Sequence, residues 1–160
     1  VKVYQARLVT PFAVLGILTD HEQLTGIDFL PVEATALEPQ SLFAREVCAQ
    51  LQAYLADSQF RFELPLLPRG TPYQQKVWQA LLKIPAGQSE SYGALASQLG
   101  SAPRAIGQAC GANPIPVIIP CHRVLGKDGL GGFMNHSDGG ALKIKRWLLE
   151  HEHVQLRPAG

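Results

Sequence analysis

The pattern of apolar and polar positions divides the chain in two. Residues 3–10, 13–19 and 24–30 are rich in strand formers and alternate in part, as at Leu24, Gly26/Ile27 and Phe29, which predicts three strands. Asp20-His21-Glu22 supplies a turn between the second and third, and Pro31 ends the run. From Ser41 the period changes. Phe43, Val47, Leu51, Tyr54 and Leu55 recur at helical spacing, so a helix capped by Ser41 buries one face and takes Cys48 into the core. Phe60-Arg61-Phe62-Glu63-Leu64 alternates again and predicts a last strand. The first half thus reads as a small β-meander with a helix on one face. It holds no catalytic constellation.

Pro65-Leu66-Leu67-Pro68-Arg69-Gly70 reads as a linker, which sets domains at residues 1–66 and 67–160. Thr71-Pro72-Tyr73-Gln74 is a helix start, with Thr71 as N-cap, Pro72 at the first helical position and Gln74 closing a capping box. Tyr73, Val77, Trp78, Leu81 and Leu82 form its apolar stripe as far as about residue 83, where Ile84-Pro85-Ala86-Gly87 ends it. Ser91 caps a short helix to Leu99, and Gly100 stands where a left-handed cap belongs. Pro103 opens another helix that stops at Asn113-Pro114. Two short helices around a tight glycine turn read as a helix-turn-helix. The second carries Arg104-Ala105-Ile106-Gly107-Gln108-Ala109: small residues that permit close approach, and a cation in the first turn, against the helix dipole. A glycine-rich turn over residues 125–132 precedes a last helix from Ala141 to about Glu152.

Composition narrows the classes. With 46% apolar and 17% charged residues, this is an ordinary globular composition. No run is long enough for a membrane span, and the start lacks a signal-peptide pattern, so no membrane partner is expected. Three cysteines without a CxxC pair argue for a reducing compartment, hence a cytoplasmic protein, and against a disulfide scaffold. No histidine stands at ligand spacing from them, so no metal is expected. The net charge of +1 hides an asymmetry: residues 1–68 hold four basic and eight acidic side chains, residues 69–150 nine basic and four acidic. The second half is the candidate for a polyanionic partner.

The chemistry concentrates in Asn113-Pro114-Ile115-Pro116-Val117-Ile118-Ile119-Pro120-Cys121-His122-Arg123-Val124. A strand-like apolar run drives the chain inward, Pro120 ends it, and a thiol, an imidazole and a guanidinium follow in consecutive positions. A neighbouring base or cation is what populates a nucleophilic thiolate. This run resembles the active-site segment of the O6-alkylguanine-DNA alkyltransferases (methylated-DNA–protein-cysteine methyltransferases). The resemblance spans residues 70–152 and is carried also by Gly70-Thr71-Pro72-Tyr73-Gln74 with Val77-Trp78, by Ile84-Pro85 and Gly87, by Ser91-Tyr92-Gly93, by Arg104-Ala105-Ile106-Gly107 and by Lys145-Arg146-Trp147-Leu148-Leu149.

The resemblance implies an N-terminal ribonuclease-H-like domain and a mainly helical, winged-helix-like second domain carrying the helix-turn-helix. It implies irreversible, stoichiometric transfer of an alkyl group from O6 of guanine, and from O4 of thymine, in double-stranded DNA to Cys121, without cofactor and by a monomer. His122 then draws the thiol proton through a water, Glu152 orients that imidazole, and Tyr92 and Lys145 assist the guanine leaving group. Arg104, Ala105, Gly107 and Tyr92 contact DNA, with Arg104 replacing the flipped nucleotide. Asn113 links the recognition helix to the active-site run, and Val124, Phe133 and Met134 border the alkyl pocket. Two departures stand out: extra residues within Met134-Asn135-His136-Ser137-Asp138, and Phe133 where relatives often have tyrosine. Two other classes compete. A DNA-binding protein that recognises alkylated bases without repair would lack the cysteine, and a Cys121–His122 hydrolase would need an oxyanion-hole motif that is not apparent.

Overall fold

The computed structural model describes residues 2–126, 129–132 and 139–154 and divides into two units, residues 1–69 with 114–116, and residues 70–113 with 117–160. The division between residues 69 and 70 falls within the Pro65–Gly70 stretch, and a short segment of the second half belongs with the first unit.

In the first unit, β1 (Ala6–Val9), β2 (Val14–Asp20) and β3 (Gln23–Leu30) form an antiparallel sheet in the order β1-β2-β3. Ala6 lies opposite Ile17, and Val14 opposite Leu30, with a register shift between Leu18 and Thr19. Helix α1 (Leu42–Ala56) starts where Ser41 Oγ accepts the Ala44 N–H at 3.0 Å. Its buried face of Ala44, Val47, Cys48, Leu51 and Tyr54 joins Ala6, Val14, Ile17, Leu24 and Ile27 in the core. Each fully buried aliphatic side chain here is worth ~1.5–3 kcal/mol over an exposed one. The outer edge of β3 is closed by irregular backbone. Leu24 exchanges bonds with Pro65 and Leu67, and the Ile27 N–H donates to Pro114 O at 2.9 Å.

Residues 60–64 are not a strand. The Gln50 side-chain amide takes both backbone groups of Glu63, donating to its carbonyl at 3.0 Å and accepting its N–H at 2.9 Å. The Phe62 ring packs against Tyr54 and Phe60. A helix side chain therefore does what a neighbouring strand would have done for this backbone.

In the second unit, α2 (Pro72–Leu81) opens with the complete Thr71/Gln74 capping box. Trp78 is buried, and its Nε1–H donates to Ala109 O at 2.9 Å, joining α2 to α4 (Pro103–Gly111). Helix α3 (Tyr92–Leu99) ends at Gly100, whose φ of +63° is left-handed and needs a glycine there. The α3–α4 pair is the helix-turn-helix. A two-residue parallel pairing of β4 (Glu90–Ser91) with β5 (Val124–Leu125) and a last helix, α5 (Gly139–His151), complete the unit.

Candidate active site

The run leading to Cys121 is buried but is not a strand. Val117 is 2% exposed and has φ +75°, an unusual backbone for a β-branched residue, so the chain turns here instead of extending. At Pro120 (φ −82°, ψ +66°) the Cys121 N–H donates to Ile119 O at 2.8 Å, an inverse γ-turn. Cys121–Arg123 then form one 3-10 turn, with the Arg123 N–H on Pro120 O at 3.0 Å. Two tight turns in succession hold the thiol 2% exposed at the start of the second.

Asn113, two residues beyond the end of α4 and 1% exposed, donates from Nδ2 to Ile119 O at 2.8 Å. Burial pushes the Cys121 thiol up to about 11, while the Asn113 side chain, the Lys145 charge and a backbone bond pull it down. The resting group is therefore a thiol, and a base must take its proton as it reacts.

A candidate base stands next in sequence. His122 is fully buried, and its Nε2 lies 2.8 Å from Glu152 Oε2. With Nε2–H donating to the carboxylate, Nδ1 keeps its lone pair, a tautomer assigned from the bonding. Nδ1 is also the buried side-chain nitrogen without a partner among the described residues. Burial holds the imidazole below its ordinary value, against the pull of Glu152. Burial raises the Glu152 carboxyl, but bonds from His122 and Arg123 outweigh it and hold the group far below the carboxylate range.

Arg123, whose part the sequence did not disclose, completes the cluster. Its Nε donates to Glu152 Oε1 at 2.8 Å, Nη2 to Oε2 at 3.0 Å, and Nη1 to Ile84 O at 2.5 Å. The available signal was chemical: a buried carboxylate beside a histidine needs a counter-charge, and a guanidinium stood next in sequence.

Lys145 on α5 is 0% exposed and spends its N–H donors on backbone: Val124 O at 2.7 Å, Leu130 O at 2.5 Å and Gly132 O at 2.9 Å. An ammonium has three donors, so assisting a leaving group would mean giving one of these up. Burial lowers Lys145 to about 8. Tyr92, the first residue of α3, sits beneath this ammonium, 5.7 Å from ring centroid to Nζ. Its hydroxyl donates to Gly132 O at 3.4 Å. A Cβ on Gly131 would meet the ring at 2.9 Å, so the loop closes on Tyr92 only because that residue is glycine. Ser91 serves twice, pairing β4 with β5 and accepting the Ala94 N–H at 2.9 Å to start α3, which brings Tyr92 to the site.

Arg104 is exposed in the first turn of α4, with Ala105 and Gly107 half-buried on the same helix. The Val124 side chain is fully buried in β5. Phe133 and Met134, the expected pocket residues, lie outside the described residues. Cys48 and Cys110 are buried free thiols, raised by burial to about 11 and about 12. Among the described residues no cluster of three or more His, Cys, Asp or Glu could hold a metal ion, and no helix is long and apolar enough to cross a membrane.

The family model for the DNA-binding domain of 6-O-methylguanine DNA methyltransferase matches residues 72–154. The constitutive methylated-DNA–protein-cysteine methyltransferase of Bacillus subtilis is 46% identical over 165 residues, covering 96% of this chain and 98% of its own. The chain belongs to the O6-methylguanine-DNA methyltransferase family. The crystal structure of the Mycobacterium tuberculosis O6-methylguanine methyltransferase superposes with a TM-score of 0.78 at 38% identity, covering 94% of this chain and 92% of that one. Mycobacterium tuberculosis OGT in complex with DNA gives 0.74 at 38% identity over 92% and 91% of the two chains. At the family level the activity is direct DNA repair by single-turnover methyl transfer to a protein cysteine. An O6-methylguanine-DNA methyltransferase thus accounts for a helix-turn-helix on the same unit as the buried Cys121.

Proposed function

We propose that this methyltransferase repairs O6-alkylguanine in double-stranded DNA by moving the alkyl group irreversibly onto Cys121. The observation that carries the reading is the chain Arg123–Glu152–His122, which places a buried imidazole on the residue next to Cys121. The Cys121 S–H proton passes through a water to His122 Nδ1, and Sγ attacks the alkyl carbon. The carbon–O6 bond breaks, its electron pair stays with the base, and a proton returned to the base restores guanine. Tyr92 is better placed than Lys145 to support that last step, since its hydroxyl makes a long bond and the Lys145 donors are committed. O4-alkylthymine presents the same alkyl–oxygen bond and falls within the same chemistry.

O6 of a stacked, paired guanine cannot meet a buried thiol in line, so the nucleotide is flipped out. The exposed Arg104 at the start of α4 fills the space it leaves, and the small Ala105 and Gly107 permit close approach in the minor groove. The reading needs one chain, so the working unit is a monomer, in the cytoplasm as the cysteine usage suggests.

Incubation with a methylated duplex, followed by intact mass measurement of wild type and Cys121→Ser, tests the reading. One methyl on wild type and none on the variant is the expected result. Binding without mass change would make the protein a recogniser of damage, and repeated turnover would make it a hydrolase; either overturns the proposal.

A further inference from the structure

We propose that Arg123 is a positioning residue for the transfer, its guanidinium fork fixing Glu152 so that Oε2 meets His122 Nε2 and His122 Nδ1 is left as the acceptor for the thiol proton. This rests on the reading of Cys121 as the alkyl acceptor. The geometry is a two-point clamp, Nε to Oε1 at 2.8 Å and Nη2 to Oε2 at 3.0 Å, with Nη1 anchored on Ile84 O, just beyond α2. Glu152 itself continues α5, its N–H on Leu148 O at 3.0 Å. Paired forks of this kind fix the carboxylate plane as well as its charge.

The clamp matters because of what the pair would do without it. A buried carboxylate whose sole counter-charge was His122 would draw a proton into the pair. If the imidazole held that proton, both ring nitrogens would be protonated. If the carboxyl held it, the acid would donate to Nε2 and the ring proton would move to Nδ1. In either arrangement Nδ1 loses its lone pair and cannot accept from the thiol. Arg123 already balances Glu152, so the imidazole stays neutral with Nδ1 bare.

The other charged or titratable groups around the ring act in the same direction or do not reach it. From α5, the buried Lys145 disfavours an imidazolium, and Cys121 precedes His122 in sequence on the same 3-10 turn. On α2, Tyr73 bonds Ser101 and Lys76 bonds Leu99 O, both directed elsewhere.

The test measures single-turnover methyl transfer against pH, with a free benzylated guanine and with a methylated duplex, for wild type, Arg123→Lys and Arg123→Met. The protonation and tautomer of the His122 ring are read by nitrogen NMR without substrate. Arg123→Met should move the acid limb of the rate profile up by about one pH unit or more and put a proton on Nδ1. On the sloping part of the profile the rate at a given pH then falls about tenfold or more. Arg123→Lys restores the charge and should return the limb toward wild type, with a lower plateau because the fork is gone. An unchanged limb together with an unchanged tautomer in Arg123→Met overturns the proposal. Should that variant fold poorly, Arg123→Lys placed in Glu152→Gln supplies the second reading: the charge beside the ring is kept and there is no carboxylate to hold, so loss of the fork must leave the Glu152→Gln ring state unaltered, and a further change contradicts the proposal. If wild type forms no adduct, the functional reading fails, while the ring measurement still judges Arg123 by itself.

Discussion

Cys121, His122 and Glu152 illustrate how burial and pairing divide labour between neighbouring side chains. Burial alone would leave a neutral thiol, a neutral imidazole and a neutral acid; only Glu152, given Arg123 and His122 as partners, is driven to its charged form. That arrangement has a signature in stability. The His122 value is lowered on folding from its ordinary 6.5, so the unfolded chain binds more protons below that pH and stability falls as the solution is acidified through it. Glu152 is lowered from 4.5, so its contribution is complete above that value and is lost progressively below it. Melting temperature should therefore decline from pH 7 to pH 5, with at most about 1.4 kcal/mol per pH unit from the histidine. His122→Gln should flatten that part of the decline and leave the steeper loss below the carboxylate range. A parallel decline in both proteins would show that His122 is not held neutral by the fold.

Helix α4 and the active-site turns are joined by Asn113, whose Nδ2 holds Ile119 O at 2.8 Å. The intervening backbone has little slack, with Pro114, Pro116 and the left-handed Val117 between them. Methylation adds volume to a thiol that is 2% exposed, and overpacking typically costs ~1–3 kcal/mol. The spent protein should melt earlier and release DNA more readily than the unmodified one; equal melting and equal affinity would mean the turns absorb the methyl locally. Val117 offers a second measurement. Val117→Gly relieves a left-handed strain of ~1–2 kcal/mol but forfeits a buried side chain worth ~1.5–3 kcal/mol, so a net loss of stability is expected in a denaturant titration, and a gain would show that strain dominates. Elements with caps were legible: Ser41, Thr71 with Gln74, and Ser91 with Gly100 each mark an end by a hydrogen bond that the residue type announces. Elements defined by partners were not. The alternation at residues 60–64 promised a strand, but Gln50 claimed its backbone. The β4–β5 pairing is two residues long, too short for any period. Apolar character at residues 117–119 foretold burial correctly, while the turns that replace a strand there depend on Val117 and Pro120 dihedrals that composition does not encode. At the site, Arg123 stood in plain view beside His122, but its bond to Glu152 crosses from the 3-10 turn to α5 and has no local trace.

Over the whole molecule the basic excess falls between residues 69 and 150, nine basic against four acidic, the part that also carries the helix-turn-helix and the thiol. DNA affinity should therefore fall steeply with salt and vary little with sequence, which a titration at several salt concentrations checks. Arg104→Ala should impair repair of a methylated duplex far more than reaction with a free benzylated guanine, because only the duplex requires flipping; equal losses would make Arg104 a residue of the fold. The account as a whole rests on one thiol acting once. A thioether has no leaving group that water or His122 can displace, and Cys48 and Cys110 are buried thiols raised to about 11 and about 12, outside the His122–Glu152 pair. The most direct measurement supplies an excess of duplex carrying isotopically labelled O6-methylguanine, follows label transfer to completion, and maps it by peptide mass. The account predicts a plateau at one methyl per chain, all of it on Cys121. Label that continues to turn over, or that resides on Cys48 or Cys110, would contradict it.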